Sequence, residues 1–156
     1  MISLPPLDDE RLLADLTTLA QIGRAPEGSL NRVAYSAADQ AGRAWVVEQM
    51  RALGLRVRGD AAGNTIGTYE GTADLPPISL GSHTDTVPNG GSYDGALGVV
   101  AALACVRALH TTKVRLRHPI ELINFAAEEA TMAGGTTGSQ AMAGLFDPAL
   151  FDKAAW

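Results

Sequence analysis

The sequence predicts an α/β domain, a mixed sheet flanked by helices, and three observations predict it. Stretches with apolar residues three or four apart alternate with short apolar runs of strand length along the 156 residues. Glycine and proline punctuate the boundaries between them. Hydrophobic residues make up 46% and charged residues 19%, a balance that lets a chain of this length bury a core.

The elements follow in order. Leu7 to Ile22 places Leu12, Leu13, Leu16, Leu19 and Ala20 on one helical stripe, with Asp8 and Asp9 at the positive end of the helix dipole. Gly23 to Leu30 reads as a loop. Ser36 with Asp39 three residues on resembles a capping box, and the helix it opens buries Trp45, Val46, Met50 and Leu53 before Gly54 ends it. Leu55–Arg58 and Thr65–Tyr69 read as a hairpin around a turn at residues 59–64. Pro76-Pro77 breaks the chain before a strand from Ile78 to Ser82. Gly95 to Leu109 is apolar almost all round, which predicts a buried helix. Ile120 to Ala126 is a strand, and Ser139 to Ala143 a short helix after a Gly/Thr-rich loop. The strand from Ile120 is expected to lack neighbours, leaving apolar surface and a tendency to associate.

Composition excludes some partners. With 12 Lys+Arg against 17 Asp+Glu the net charge is −5, unsuited to nucleic acid or an anionic membrane. No apolar run reaches the roughly 18 residues of a spanning helix. The start, MISLPPLDDERLL, has neither the basic region nor the apolar core of a secretion signal. Cys105 is the only cysteine and is expected to pack inside its helix; with no intrachain disulfide available, a cytoplasmic protein is expected. Trp45 and Tyr35 are expected in or near the core.

Three clusters carry the chemistry. His83-Thr84-Asp85 directly follows a strand; residues two apart on extended chain face the same way, so Asp85 can orient His83 as a metal ligand. Asp94, in Gly90-Gly91-Ser92-Tyr93-Asp94-Gly95, stands at a helix start, as a cap or as a carboxylate bridging two cations. Glu128-Glu129 follows another strand; adjacent carboxylates repel unless solvent or cations compensate, and one can ligate a metal while the other handles a proton. Strand carboxyl ends are where sites in open α/β sheets gather. One imidazole with several carboxylates suits a divalent ion such as Zn²⁺ or Mn²⁺.

The stretch Gly81-Ser82-His83-Thr84-Asp85-Thr86-Val87-Pro88-Asn89-Gly90-Gly91-Ser92-Tyr93-Asp94-Gly95 resembles the signature of the M20-type metallopeptidase superfamily. Within it, the match is to the branch of N-carbamoyl-L-amino-acid hydrolases, allantoate amidohydrolases and β-ureidopropionases. Asn31-Arg32-Val33-Ala34-Tyr35-Ser36, Asp60 with Gly63-Asn64, and Gly138-Ser139-Gln140-Ala141-Met142-Ala143-Gly144 support it. The resemblance implies a zinc-peptidase-like catalytic domain that hydrolyses a linear amide or ureido C–N bond with two divalent cations, Zn²⁺ or Mn²⁺, with Co²⁺ or Ni²⁺ as alternatives. It implies that His83 ligates one cation, Asp94 bridges both, Glu129 ligates the second, Asp85 supports His83, and Glu128 is the general base. Aminopeptidases and deacylases of the superfamily share that metal core.

The resemblance has departures. Ala127 stands where the family often has Asp, and Ala130-Thr131-Met132 replaces the usual residues after the Glu pair. Family members also continue into a lid domain that forms a homodimer, and into two further His ligands. Residues 1–156 are therefore expected to be the amino-terminal part of the catalytic domain, an incomplete one, which by itself would be catalytically silent.

Overall fold

The computed structural model describes residues 5–131 and 134–149, so Met132 and Trp156 lie outside the described residues. The chain opens with helix α1, Asp9–Gln21, capped by the Asp8 carboxylate, which accepts from the Arg11 amide at 2.9 Å. Helix α2, Ala37–Ala52, starts at Ser36, whose hydroxyl accepts from the Asp39 amide at 3.1 Å. The reciprocal half of a capping box is displaced by one residue. The Asp39 carboxylate accepts from the amide of Tyr35, at 2.9 Å, instead of that of Ser36.

Strands β1 (Arg56–Gly59) and β2 (Thr65–Tyr69) form the expected hairpin. Its turn is closed by Asp60, whose carboxylate accepts from the amides of Ala62 and Asn64. Strand β3, Ile78–His83, leads into α3, Ala96–Thr111, and back to β4, Ile120–Phe125. The four strands lie in the order β1-β2-β4-β3, with β3 parallel to β4 and the other pairs antiparallel. Helix α4 covers Thr137–Met142, two residues earlier than the sequence suggests.

β4 is therefore an interior strand, contrary to expectation. The α3 crossover returns the chain between β3 and the hairpin, so β4 has a partner on each side and β3 takes the edge. The core sits on one face of the sheet. There Val46 and Met50 of α2, Val99, Leu103 and Val106 of α3, and Leu122 of β4 are fully buried. Each such side chain contributes about 1.5–3 kcal/mol by leaving water. Gly67 lets α2 approach β2, because a Cβ there would lie 2.8 Å from the Met50 sulfur.

Two expectations for α3 and one for the aromatics need correction. Helix α3 has an exposed stripe, with Leu97 on it, because only the side toward the sheet and α1 is covered. Cys105 lies on that stripe and is exposed rather than packed. Trp45 is half-buried against the core as expected, but Tyr35 is 42% exposed and turns outward on a residue with φ +63°.

Candidate metal centre

The site forms where β3 and β4 end side by side. Parallel pairing aligns His83 with Phe125, so the segments that follow, 84–86 and 126–129, leave the sheet together. Asp94 arrives from the loop before α3. It does not cap the helix: Gly95 occupies that position without a side-chain bond, and Asp94 lends the turn only its backbone carbonyl, 2.6 Å from the Ala96 amide. Its carboxylate, 74% exposed, is thereby available.

His83, Asp94 and Glu129 each offer one ligand atom, and these atoms all lie within 4.8 Å of one another. Asp94 Oδ1 and Glu128 Oε2 are each 3.9 Å from His83 Nε2. The structure thus brings together four of the residues singled out in the sequence. Asp85 joins them from beneath. It is 1% exposed, with Oδ1 3.5 Å from His83 Nδ1, while its own backbone carbonyl lies 3.0 Å from the same nitrogen. Buried against the His83 ring, it is placed to hold that imidazole.

Asp85 also does something that the sequence did not disclose. Its two carboxylate oxygens accept from the amides of Glu128, at 3.3 Å, and Glu129, at 3.0 Å. Asp85 thus meets the imidazole through its backbone carbonyl, with its carboxylate nearby, and that carboxylate holds the backbone of both glutamates.

The electrostatics follow from this packing. Burial works against charge on His83, but the neighbouring Asp85 and Glu128 carboxylates outweigh it and raise the imidazole above its ordinary value. Burial pushes Asp85 up, yet its hydrogen bonds with His83 and the two glutamate amides win and hold it low. Glu129 is raised, by burial first and then by the negative charge of Asp94, Asp85 and Glu128. A crowd of carboxylates facing one imidazole is a donor set that a divalent cation neutralises. The residues present fit such an ion.

A supporting frame surrounds the cluster. Asn64 is fully buried; its amide nitrogen donates to Asp60, at 2.8 Å, and to the Gly138 carbonyl, at 2.9 Å, and its oxygen accepts from the Ala126 amide at 2.9 Å. The carbonyls of Ala126, Ala127 and Glu128 accept from the amides of Gly138, Thr137 and Thr136, which closes the loop behind the glutamates. Ala127 adopts φ +48°, a left-handed conformation that Asp and Asn tolerate better than Ala. The departure at this position therefore concerns backbone strain in the loop and removes no assigned ligand. Asn64 and Arg32 stood in supporting segments of the motif, but their roles depend on contacts 10 to 74 residues away in sequence.

Comparison with known proteins gives the family. The chain is 41% identical over 144 residues to an N-carbamoyl-L-amino acid amidohydrolase of Geobacillus stearothermophilus, which covers 91% of this chain and 35% of that protein. It is 38% identical to a ureidoglycolate hydrolase of Oryza sativa, over 88% of this chain and 29% of that one. A hydantoinase/carbamoylase family amidase from Burkholderia ambifaria superimposes with a TM-score of 0.89 at 33% identity, over 94% of this chain and 36% of that chain. The chain spans about a third of the length of the curated relatives it matches. Among the described residues, no helix is long and apolar enough to cross a membrane. These relatives bear out the resemblance read from the motif around His83, and the family model that matches residues 64–154 is described as Peptidase family M28: the chain belongs to that family.

Proposed function

We propose that this chain carries the cation-binding half of a hydrolase that cleaves a ureido or linear amide C–N bond, in an N-carbamoyl-L-amino acid or an allantoate-like ureido acid. The observation that carries it is the convergence of His83, Asp94 and Glu129 ligand atoms within 4.8 Å, beside Glu128. The names of the chain's relatives support the substrate class. In this reading His83, Asp94 and Glu129 would hold the ions. The chemistry supplied there by divalent cations, two of Zn²⁺ or Mn²⁺ with Co²⁺ or Ni²⁺ as alternatives, would be polarisation of the scissile carbonyl and acidification of water.

The chain's own groups do the rest. Glu128 takes a proton from the attacking water and returns it to the leaving nitrogen. Asp85 keeps His83 turned toward the cluster and keeps Glu128 and Glu129 in register. A carbamoyl substrate yields an amino acid, ammonia and carbon dioxide. A cytoplasmic setting and a homodimer of the whole protein belong to the same reading.

Calorimetry with Zn²⁺ or Mn²⁺ on the chain tests the site. Saturable binding that is lost in His83→Ala and kept in Glu128→Gln is expected, and absence of saturable binding overturns the metal centre. Ammonia release from N-carbamoyl-L-amino acids by the whole protein, with the cation present, tests the chemistry. Turnover unchanged in Glu128→Gln overturns the base assignment.

A further inference from the structure

Arg32 is the largest fully buried side chain among the described residues, at 1% exposure, and it belongs to no cluster that the sequence singled out for chemistry. Its guanidinium reaches three backbone carbonyls. Nε donates to Thr84 at 2.6 Å; Nη1 donates to Leu19 at 2.8 Å and to Ile22 at 2.7 Å. Thr84 lies between His83 and Asp85. Leu19 and Ile22 are at the carboxyl end of α1, where the helix dipole is negative and where α1 has no basic residue of its own. Among the described residues no carboxylate forms an ion pair with Arg32; Asp39 and Asp85 act on it only through space.

The arrangement solves a placement problem. The segment 83–86 must hold a ligand and its orienting carboxylate on irregular backbone. Asn124 donates to the Thr84 hydroxyl at 3.0 Å, and Arg32 holds the Thr84 carbonyl. The backbones of Arg32 and Thr86 are also tied, through the Thr86 amide to the Arg32 carbonyl at 2.9 Å and the Arg32 amide to the Thr86 hydroxyl at 3.0 Å. Because the end of α1 compensates the guanidinium, Asp85 remains free to serve His83 and the two glutamate amides. Gly42 makes the room, since a Cβ there would lie 2.8 Å from Arg32 Cδ.

We propose that Arg32 is a positioning residue for the metal centre, transmitting the fixed end of α1 to His83 and Asp85 through the Thr84 carbonyl. The proposal rests on the cation-binding reading above. Lysine keeps the charge but lacks the planar fork that spans carbonyls of two segments.

The test compares Arg32→Lys with the wild-type chain by amide hydrogen exchange without metal and by Co²⁺ titration followed spectroscopically. Exchange faster by about tenfold or more at Thr86, Glu128 and Glu129, with Leu122 and Ile123 unchanged, is expected, together with Co²⁺ affinity lower by about tenfold or more. Leu103→Ala, in the core under α3, lowers the melting temperature without that local pattern. Exchange at the three amides that stays as in the wild type, or rises equally along β4, overturns the positioning role. If the wild-type chain takes up no Co²⁺, the cation reading fails and the exchange pattern alone decides for Arg32. Should Arg32→Lys not fold, Gly42→Ala, which crowds Arg32 Cδ, is expected to give the same pattern, and an unchanged pattern there overturns the proposal.

Discussion

The imidazole of His83 lies flat against the backbone of Gly95: a Cβ on Gly95 would stand 2.5 Å from both ring nitrogens. Gly95 also has φ +63°, where side chains are strained. The glycine after Asp94 is thus fixed by the ligand it faces. Gly95→Ala is expected to displace His83 and weaken Zn²⁺ or Mn²⁺ binding by about tenfold or more. The positive-φ backbone, with ψ −51°, adds about 1–3 kcal/mol of instability. Calorimetry and thermal melts check both, and binding within twofold of the wild type contradicts the packing argument.

Asp85→Asn keeps the size of the side chain and one acceptor oxygen, but removes the charge and the second acceptor. One of the Glu128 and Glu129 amides then loses its partner in a half-buried place. The expected cost is about 1–3 kcal/mol, with cation affinity lower by about 10–100-fold. Denaturant melts without metal separate the two effects.

Asp39, which is not among the proposed cation ligands, gives a pH dependence of its own. It is 2% exposed, one of its oxygens has no hydrogen-bond partner, and burial raises its carboxyl. The Tyr35 amide and the Arg43 and Arg32 charges work the other way, and Asp85 adds to the rise. The folded chain thus holds this proton more tightly than the unfolded one. Its contribution to stability is therefore greatest below the ordinary aspartate value of about 4 and is lost as pH rises through the folded value. Asp39→Asn, whose amide oxygen can still accept from Tyr35, is expected to be as stable as the wild type at pH 7 or more so. Melts from pH 3 to 7 in both proteins check the slope.

Asn64→Ala leaves the Ala126 amide and the Gly138 carbonyl without their buried partner. A loss of about 2–5 kcal/mol is expected from two unmet backbone groups and the small cavity. The Glu128 loop is expected to loosen first, which amide exchange at Thr136 and Thr137 reads directly.

β3 is an edge strand without Lys, Arg, Asp or Glu, with Ile78 47% exposed at its start. Such an edge pairs with other chains. Light scattering at rising concentration is expected to show self-association, reduced in Ile78→Lys. A monodisperse monomer at high concentration counts against it.

Local signals in the sequence revealed most of the elements. The hairpin, both long amphipathic helices and the strand before His83 are set by periodicity and by turn residues within a few positions. Sheet order was not legible, because β4 takes its place between β2 and β3 through a crossover that no local pattern records. The exposure of Cys105 was missed for a related reason, since composition shows that α3 is apolar but not which side remains uncovered. The site was legible as three separate clusters. What joins them, the Asp85 bonds to two amides and the reach of Arg32 to Thr84, spans up to 52 residues and depends on backbone atoms, which carry no sequence signature.

The two oxygens of Asp85 gear the proposed proton acceptor and the proposed cation ligand to a single mount. Neither glutamate can shift by itself without unhooking from it. In the reading proposed above, any drift at this hub would therefore disturb ion capture and proton handling at one stroke.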